Sequence, residues 1–182
     1  MDGAPAAIAS RFGADSATAA DLRYVSNLRG RLAGHQIARS VVHGDFWPGN
    51  ILIDDGRVRG VIGWEDSRPE GPAVLDLVRF VMTYSLYLDR HTRPGHRVRG
   101  HPGLRADRWG AGIEYALEGS GWYPGLARRF LAEGLEQLGA PGACGRDVLM
   151  AGLVTTAAEA DHPGFAREHL LLFRRLCTGG ER

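Results

Sequence analysis

The chain contains no lysine, and all 22 of its basic residues are arginines. A phosphate-binding loop of the G-x-x-x-x-G-K-[ST] type needs a lysine on the nucleotide phosphates, so that class of site is excluded. The pattern G-x-G-x-x-G is also missing from the sequence, which excludes the glycine-rich loops that cover phosphates in other nucleotide-binding folds. A lysine that contacts nucleotide phosphates therefore cannot come from these 182 residues.

The chain also has few cysteines, no long apolar run and a small net charge. Cys144 and Cys177 are the only cysteines and form no C-x-x-C pair, so we expect free thiols. No apolar run approaches the roughly 20 residues of a membrane span, and the N-terminus lacks the basic and apolar segments of a secretory signal. The net charge of +1 gives no electrostatic case for nucleic acid or an anionic membrane. We therefore expect a cytoplasmic protein that binds neither nucleic acid nor a membrane.

The most informative stretch is the octapeptide HGDFWPGN, which runs from His43 to Asn50 and precedes the apolar run Ile51-Leu52-Ile53. Its H-x-D-x-x-x-x-N spacing is that of a kinase catalytic loop. Phosphoryl transfer to a hydroxyl needs a carboxylate that orients the hydroxyl and accepts its proton, which Asp45 can do. Magnesium on the nucleotide phosphates needs oxygen ligands, and Asn50 can supply a neutral one.

With glycine in its second position, this stretch resembles the aminoglycoside phosphotransferase and choline kinase-like family, the small-molecule branch of the kinase fold. Residues 57–66, RVRGVIGWED, resemble that family's second metal-binding strand, usually I-D-W-E or I-D-W-D. Residues 71–77, GPAVLDL, resemble its G-x-P-x-x-D-L helix start. The resemblance implies ATP- and Mg²⁺-dependent phosphoryl transfer to the hydroxyl of a small molecule such as an aminoglycoside, choline or a sugar. It also implies that His43 and Asp76 brace the loop.

Gly63 departs from the family pattern, because it stands where the resemblance implies a magnesium-binding Asp. Glycine offers no ligand, so we expect weakened metal–nucleotide binding. If residues 62–64 stay extended, Glu65 points to the same face as Gly63 and is a possible substitute ligand; the alternative is a substrate-side or surface carboxylate. Trp47, Glu65 and Asp66 are candidate substrate-binding residues. Together with Glu70, the two acids suit a cationic acceptor.

The pattern along the chain predicts an α+β, mostly helical fold: a protein-kinase-like C-terminal lobe with a small β-hairpin around the catalytic loop and a helical C-terminal bundle. We expect residues 1–15 to be flexible and 16–182 to form this lobe. The Asp54-Asp55-Gly56-Arg57 segment predicts the hairpin turn. The predicted helices cover residues 16–33, 70–90, 108–117, 123–138, 146–160 and 163–177, and residues 91–108 are expected to form a polar loop.

About forty residues precede the catalytic loop, too few for the nucleotide-binding lobe that kinases place there, so we expect that lobe to be absent. The leading hypothesis is a small-molecule phosphotransferase that is impaired in isolation by Gly63 and the missing lobe. The alternatives are a non-catalytic binding or regulatory module, a remnant of a truncated gene, or a chain whose small lobe comes from a partner polypeptide.

Overall fold

The structure is a computed structural model that describes residues 3–13 and 15–179. These described residues divide into two compact units, one drawn from residues 1–35 and 146–182 and the other from residues 36–145. In chain order the elements are α1 (Ala4–Phe12), α2 (Ser16–Ala33), β1 (Arg39–Val42), β2 (Ile51–Asp54), β3 (Arg57–Val61), β4 (Arg68–Pro72), α3 (Val74–Tyr87), β5 (Arg97–Val98), β6 (His101–Arg105), α4 (Ala111–Glu118), α5 (Trp122–Gln137), α6 (Gly145–Glu159) and α7 (Pro163–Gly179).

The first unit consists of helices α1, α2, α6 and α7. Helix α2 begins as predicted, since the Asp15 side chain accepts a hydrogen bond from the Thr18 N–H at 2.7 Å and caps the helix. Helix α1 corrects the expectation of a flexible N-terminus for residues 4–12. The small residues of this segment are good helix formers, and its Ile8 is fully buried.

The β2–β3 hairpin is present as predicted and directly follows the catalytic loop, which ends at Asn50. Its two-residue turn has Asp55 at φ 47° and Gly56 at φ 70°, the left-handed pair of a type I′ turn. Ile51 pairs with Val61, and the Ile62 N–H extends the ladder by donating to the Asn50 carbonyl at 2.9 Å. Residues 50 and 62 are therefore held side by side.

Two further antiparallel pairs correct the sequence-based expectations. Residues 68–72 form β4, which pairs with β1 instead of starting a helix, and α3 begins only at Val74. Gly71 makes this pairing possible because any side chain there would collide with the Cγ2 atom of Val42. Within the expected polar loop 91–108, β5 and β6 form a second hairpin.

The helices expected after residue 108 are all present, with small shifts in their bounds. The described residues are mostly helical with small antiparallel sheets, which confirms the α+β class. The kinase-like arrangement of the lobe stays a prediction. Within residues 3–13 and 15–179, no helix has the length and apolar character needed to cross a membrane.

Candidate functional site

A single carboxylate fixes the start of the catalytic loop, where the chain leaves β1. Asp76, in the first turn of α3, accepts the His43 N–H at 2.7 Å on Oδ2 and the Gly44 N–H at 3.1 Å on Oδ1. Hydrogen bonds to a charged acceptor are among the stronger ones in proteins. The first two amides of the loop are therefore held against α3.

Gly44 is needed at its position for two reasons. Its φ of +85° lies in the left-handed region, and a Cβ there would collide with the backbone carbonyl of Asp66. Only glycine meets both conditions without strain. The loop is thereby brought directly against the turn that follows Gly63.

The buried imidazole of His43 joins the loop to the end of β3. Its Nδ1 accepts the Asp45 N–H at 3.2 Å, so the ring proton lies on Nε2, which donates to the Ile62 carbonyl at 2.9 Å. The Trp64 ring packs against it with the ring centroids 4.5 Å apart. His43 thus holds Asp45 at a fixed distance from residues 62–64.

The Asp45 carboxylate is half-exposed and has two hydrogen-bond partners, the Arg79 guanidinium and the Asn50 amide. Arg79 on α3 donates to Oδ1 at 3.2 Å, and the Asn50 amide donates to Oδ2 at 3.2 Å and to the Asp45 carbonyl at 2.9 Å. A carboxylate has about four lone-pair sites, so these bonds leave acceptor capacity toward solvent. The group can orient a hydroxyl and receive its proton.

Position 63 lies beside Asn50, as the hairpin predicts, but it has no side chain. An ideal Cβ on Gly63 would come within 2.8 Å of Asn50 Nδ2 and 3.1 Å of its Oδ1, and the φ of Gly63 is +79°. Strand β3 ends at Val61, so residues 62–64 do not continue the extended alternation. The condition for Glu65 to share a face with Gly63, an extended chain through residues 62–64, is therefore not met, because the left-handed glycine turns the chain.

The residues present do not make a magnesium site. Asn50 offers one neutral oxygen, since its amide nitrogen is engaged with Asp45. Magnesium in proteins is held by one or two carboxylates together with substrate phosphates and water. In the described part of the chain, no group of three or more His, Cys, Asp or Glu side chains is arranged to hold a metal, and no contact joins Glu65 to Asn50.

An open groove runs beside Asp45 and is lined by Gly44, Glu65, Asp66, Ser67, Arg68 and Arg79. It brings together two of the predicted substrate-binding residues, Glu65 and Asp66. Trp47 is not part of its lining and stacks instead on Tyr87, with ring centroids 5.9 Å apart. Glu70 pairs with Arg39 on the exposed β1–β4 sheet at 3.1 Å. The acidic surface expected for a cationic acceptor is therefore mixed with arginine.

Arg79 is the site residue that sequence reasoning missed. It lies three residues after Asp76 on α3, a spacing that places both side chains on the same face of a helix. Asp76 reaches the loop backbone and Arg79 reaches the loop carboxylate. The three-residue spacing from Asp76 is the sequence signal that could have revealed Arg79.

Two buried histidines lie outside the catalytic loop. Burial lowers the pKa of His101, and burial lowers the pKa of His169 to about 4, although the hydrogen bond of His169 with the Phe165 carbonyl opposes that change. His101 packs among the rings of Tyr115, Trp122 and Tyr123. Both histidines contribute to packing.

Comparison with known proteins gives a match to one family. The sequence profile described as the phosphotransferase enzyme family, APH, matches residues 4–110. No curated protein and no solved structure matches the chain. The matched region covers more than half of the 182 residues and includes the catalytic loop, the β2–β3 hairpin and helix α3. The chain therefore belongs to the aminoglycoside phosphotransferase-like family of phosphotransferase enzymes.

Proposed function

We propose that this chain binds a small molecule with a hydroxyl group and presents that hydroxyl for phosphoryl transfer from ATP. The observation that carries the proposal is the Asp76 carboxylate on two consecutive loop amides, which fixes the loop that displays Asp45. A positioned carboxylate beside an open groove is what an acceptor hydroxyl requires. Members of the family generally use ATP and Mg²⁺, and we propose a cytoplasmic location, where ATP is available.

In the proposed reaction ATP supplies the γ-phosphoryl group. The acceptor oxygen forms a bond to phosphorus while the bond from phosphorus to the leaving ADP oxygen breaks. The hydroxyl proton passes to a carboxylate oxygen of Asp45, which the hydrogen bond from the Asn50 amide holds in place. Catalysis of this kind depends mainly on positioning and electrostatics.

We further propose that the chain transfers phosphate very slowly by itself. Gly63 removes one carboxylate from the expected metal ligands, and the sequence contains no lysine for the nucleotide phosphates. In kinases, both the metal-binding Asp and the lysine must be in place for activity. The nucleotide would then be bound by arginines of this chain, by a partner polypeptide, or by residues outside these 182.

Calorimetric titration of ATP, with and without Mg²⁺, tests the proposal on the chain as given and on Gly63→Asp. We expect no Mg²⁺-dependent binding by the chain as given and measurable binding by Gly63→Asp, because the new carboxylate would lie next to Asn50. Gly63→Asn is the matched control, since asparagine tolerates the left-handed backbone but adds no charge. Equal binding by all three proteins would show that position 63 has no part in holding the metal.

A second candidate function is that of a non-catalytic binding or regulatory module. Gly63 favours it, because glycine removes a carboxylate from the expected metal ligands and leaves only the neutral oxygen of Asn50, whose amide nitrogen is bonded to Asp45. Such a module would bind its small molecule with unchanged affinity after Asp45→Asn and would gain no nucleotide binding from Gly63→Asp. A gain in Mg²⁺–ATP binding by Gly63→Asp would argue against this candidate.

A partner chain that supplies a small nucleotide-binding lobe is also part of the proposal. Support comes from the hairpin apolar surface, defined as the exposed side chains of Leu52, Ile53, Val58, Ile62 and Trp64. Clustered exposed apolar groups are typical of interaction surfaces, and these lie on the β2–β3 hairpin and on residues 62–64 that follow it. We expect a stable complex with a lysine-containing polypeptide that Ile53→Asp breaks. A chain that remains monomeric when purified from its native source would contradict this part.

A further inference from the structure

Arg79 connects the groove to the candidate base. It lines the groove, whereas Asp45 does not, and its NH1 group donates to Asp45 Oδ1 at 3.2 Å. Its guanidinium has five N–H donors in a planar fork, of which this bond uses one. Because the Arg79 and Asp45 side chains are 49% and 43% exposed, their ion pair lies in solvent and is a weak one.

The charges around Arg79 determine what the groove can attract. Arg68 lines the same groove, and so do Glu65 and Asp66. Within the described residues, Arg79 is the only one of these four that forms an ion pair. The formal charges of these side chains cancel, so recognition depends on the individual groups, and the planar fork of a guanidinium fits the two oxygens of a carboxylate.

We propose that Arg79 is the specificity-determining residue of this groove and binds a carboxylate group on the acceptor. On binding, the guanidinium moves from Asp45 to the ligand carboxylate, which it can engage through two parallel hydrogen bonds instead of one. Asp45 is then free to receive the acceptor hydroxyl. The acceptor class is therefore a small hydroxy acid. This inference rests on the proposed function, because it treats the groove beside Asp45 as the acceptor site.

The test measures binding without nucleotide, using three small probes that share a hydroxyl group: glycerate, glycerol and choline. Titrations are followed by ¹H–¹⁵N NMR at the backbone N–H groups of Gly44, which lines the groove, and of Asp45, which lies beside it. We expect glycerate to bind about tenfold more tightly than glycerol or choline, the size of one charge-assisted hydrogen bond in a half-exposed site.

Three variants separate recognition by Arg79 from a structural effect. Arg79→Met keeps the apolar stem and should weaken glycerate binding about tenfold while leaving glycerol unchanged. Arg79→Lys should restore part of the preference for glycerate, because it keeps the charge but loses the fork. Arg59→Met is the matched control, since Arg59 forms an equally long exposed ion pair with Asp54 at 3.2 Å outside the groove.

Three results would overturn the inference: equal affinity for glycerate and glycerol, an unchanged preference in Arg79→Met, or no response to any probe. A phosphoryl-transfer assay with the same probes and variants separates it from the proposed function. Arg79-dependent glycerate binding with no phosphoryl transfer under any condition would uphold the inference about the groove and remove the proposed reaction. Phosphoryl transfer to glycerol that ignores Arg79→Met would do the reverse.

Discussion

Removing the carboxylate of Asp76 is expected to loosen the catalytic loop in a measurable way. In Asp76→Ala the N–H groups of His43 and Gly44 lose their acceptor, and both bonds are to a charged group. Such bonds are worth about 1.5–3 kcal/mol each, and because Asp76 is only partly buried we take the lower figure, so the variant should lose about 3 kcal/mol of unfolding free energy. Asp76→Asn keeps one acceptor oxygen and should lose about half as much.

The assay combines urea unfolding with hydrogen exchange. Urea midpoints give the change in free energy if the slope of the transition is preserved, and exchange shows where the change occurs. The amides of His43 and Gly44 should exchange faster in Asp76→Ala, whereas the Leu52 amide in the β2–β3 hairpin should change only as much as global stability does. Equal loss of protection at all three positions would assign Asp76 a global role.

The matched control for this prediction is Asp54→Ala, which removes an exposed carboxylate from a 3.2 Å ion pair with Arg59. Exposed pairs contribute about 0.2–1 kcal/mol, so this variant should stay close to the parent. If Asp76→Ala were no less stable than Asp54→Ala, the argument that Asp76 braces the loop would be refuted.

Three further predictions concern stability. Gly63→Ala should lose about 2 kcal/mol in urea unfolding, because alanine at φ +79° costs about 1–2 kcal/mol and its Cβ would crowd the Asn50 amide. Unfolding free energy should also fall by about 3 kcal/mol between about pH 7.5 and pH 4, because the pKa of His169 is lowered to about 4 by burial and the unfolded chain, with a pKa near 6.5, takes up the proton first. Above about pH 7.5 this contribution should be constant, and His169→Gln should flatten it. Arg174→Leu should lose about 3 kcal/mol by leaving the buried Asp21 carboxylate without its guanidinium partner at 2.7 Å.

Each of these predictions has a control in the same chain. Gly95 has a φ of +81° with nothing near its Cβ position, so Gly95→Ala reports the backbone strain alone, and an equal loss in Gly63→Ala would remove the crowding argument. His96→Gln removes an exposed imidazole and should leave the acid-induced loss intact. Arg59→Leu breaks an exposed ion pair; a loss as large as that of Arg174→Leu would contradict the role assigned to burial.

The catalytic loop was predictable because its chemistry is local in sequence. The H-x-D-x-x-x-x-N spacing fixes His43, Asp45 and Asn50 within eight residues, and an Asp-Gly pair between two β-rich runs specifies the hairpin that follows. Asp76 was predicted through the family resemblance, and its carboxylate accepts the N–H groups of His43 and Gly44 in the structure. Its catalytic role, like that of the other site residues, stays a prediction.

Features that depend on distant contacts were not predictable in the same way. Strand β4 forms because residues 68–72 pair with β1 across the loop, whereas Gly71 and Pro72 alone indicate a helix start. Gly63 turns the chain through a positive φ, which no side-chain alternation reveals. Arg79 could have been found from its three-residue spacing after Asp76, but its partner Asp45 lies 34 residues away.

The measurement that tests the central claim most directly is phosphoryl transfer from γ-labelled ATP, with Mg²⁺, to glycerate and glycerol. It compares the chain as given, Asp45→Asn and Gly63→Asp. The account predicts that the chain as given transfers no more phosphate than Asp45→Asn, because Gly63 and the lack of lysine leave the nucleotide without its usual ligands. Turnover by the chain as given that disappears in Asp45→Asn would contradict that prediction and show that this chain is a working phosphotransferase by itself.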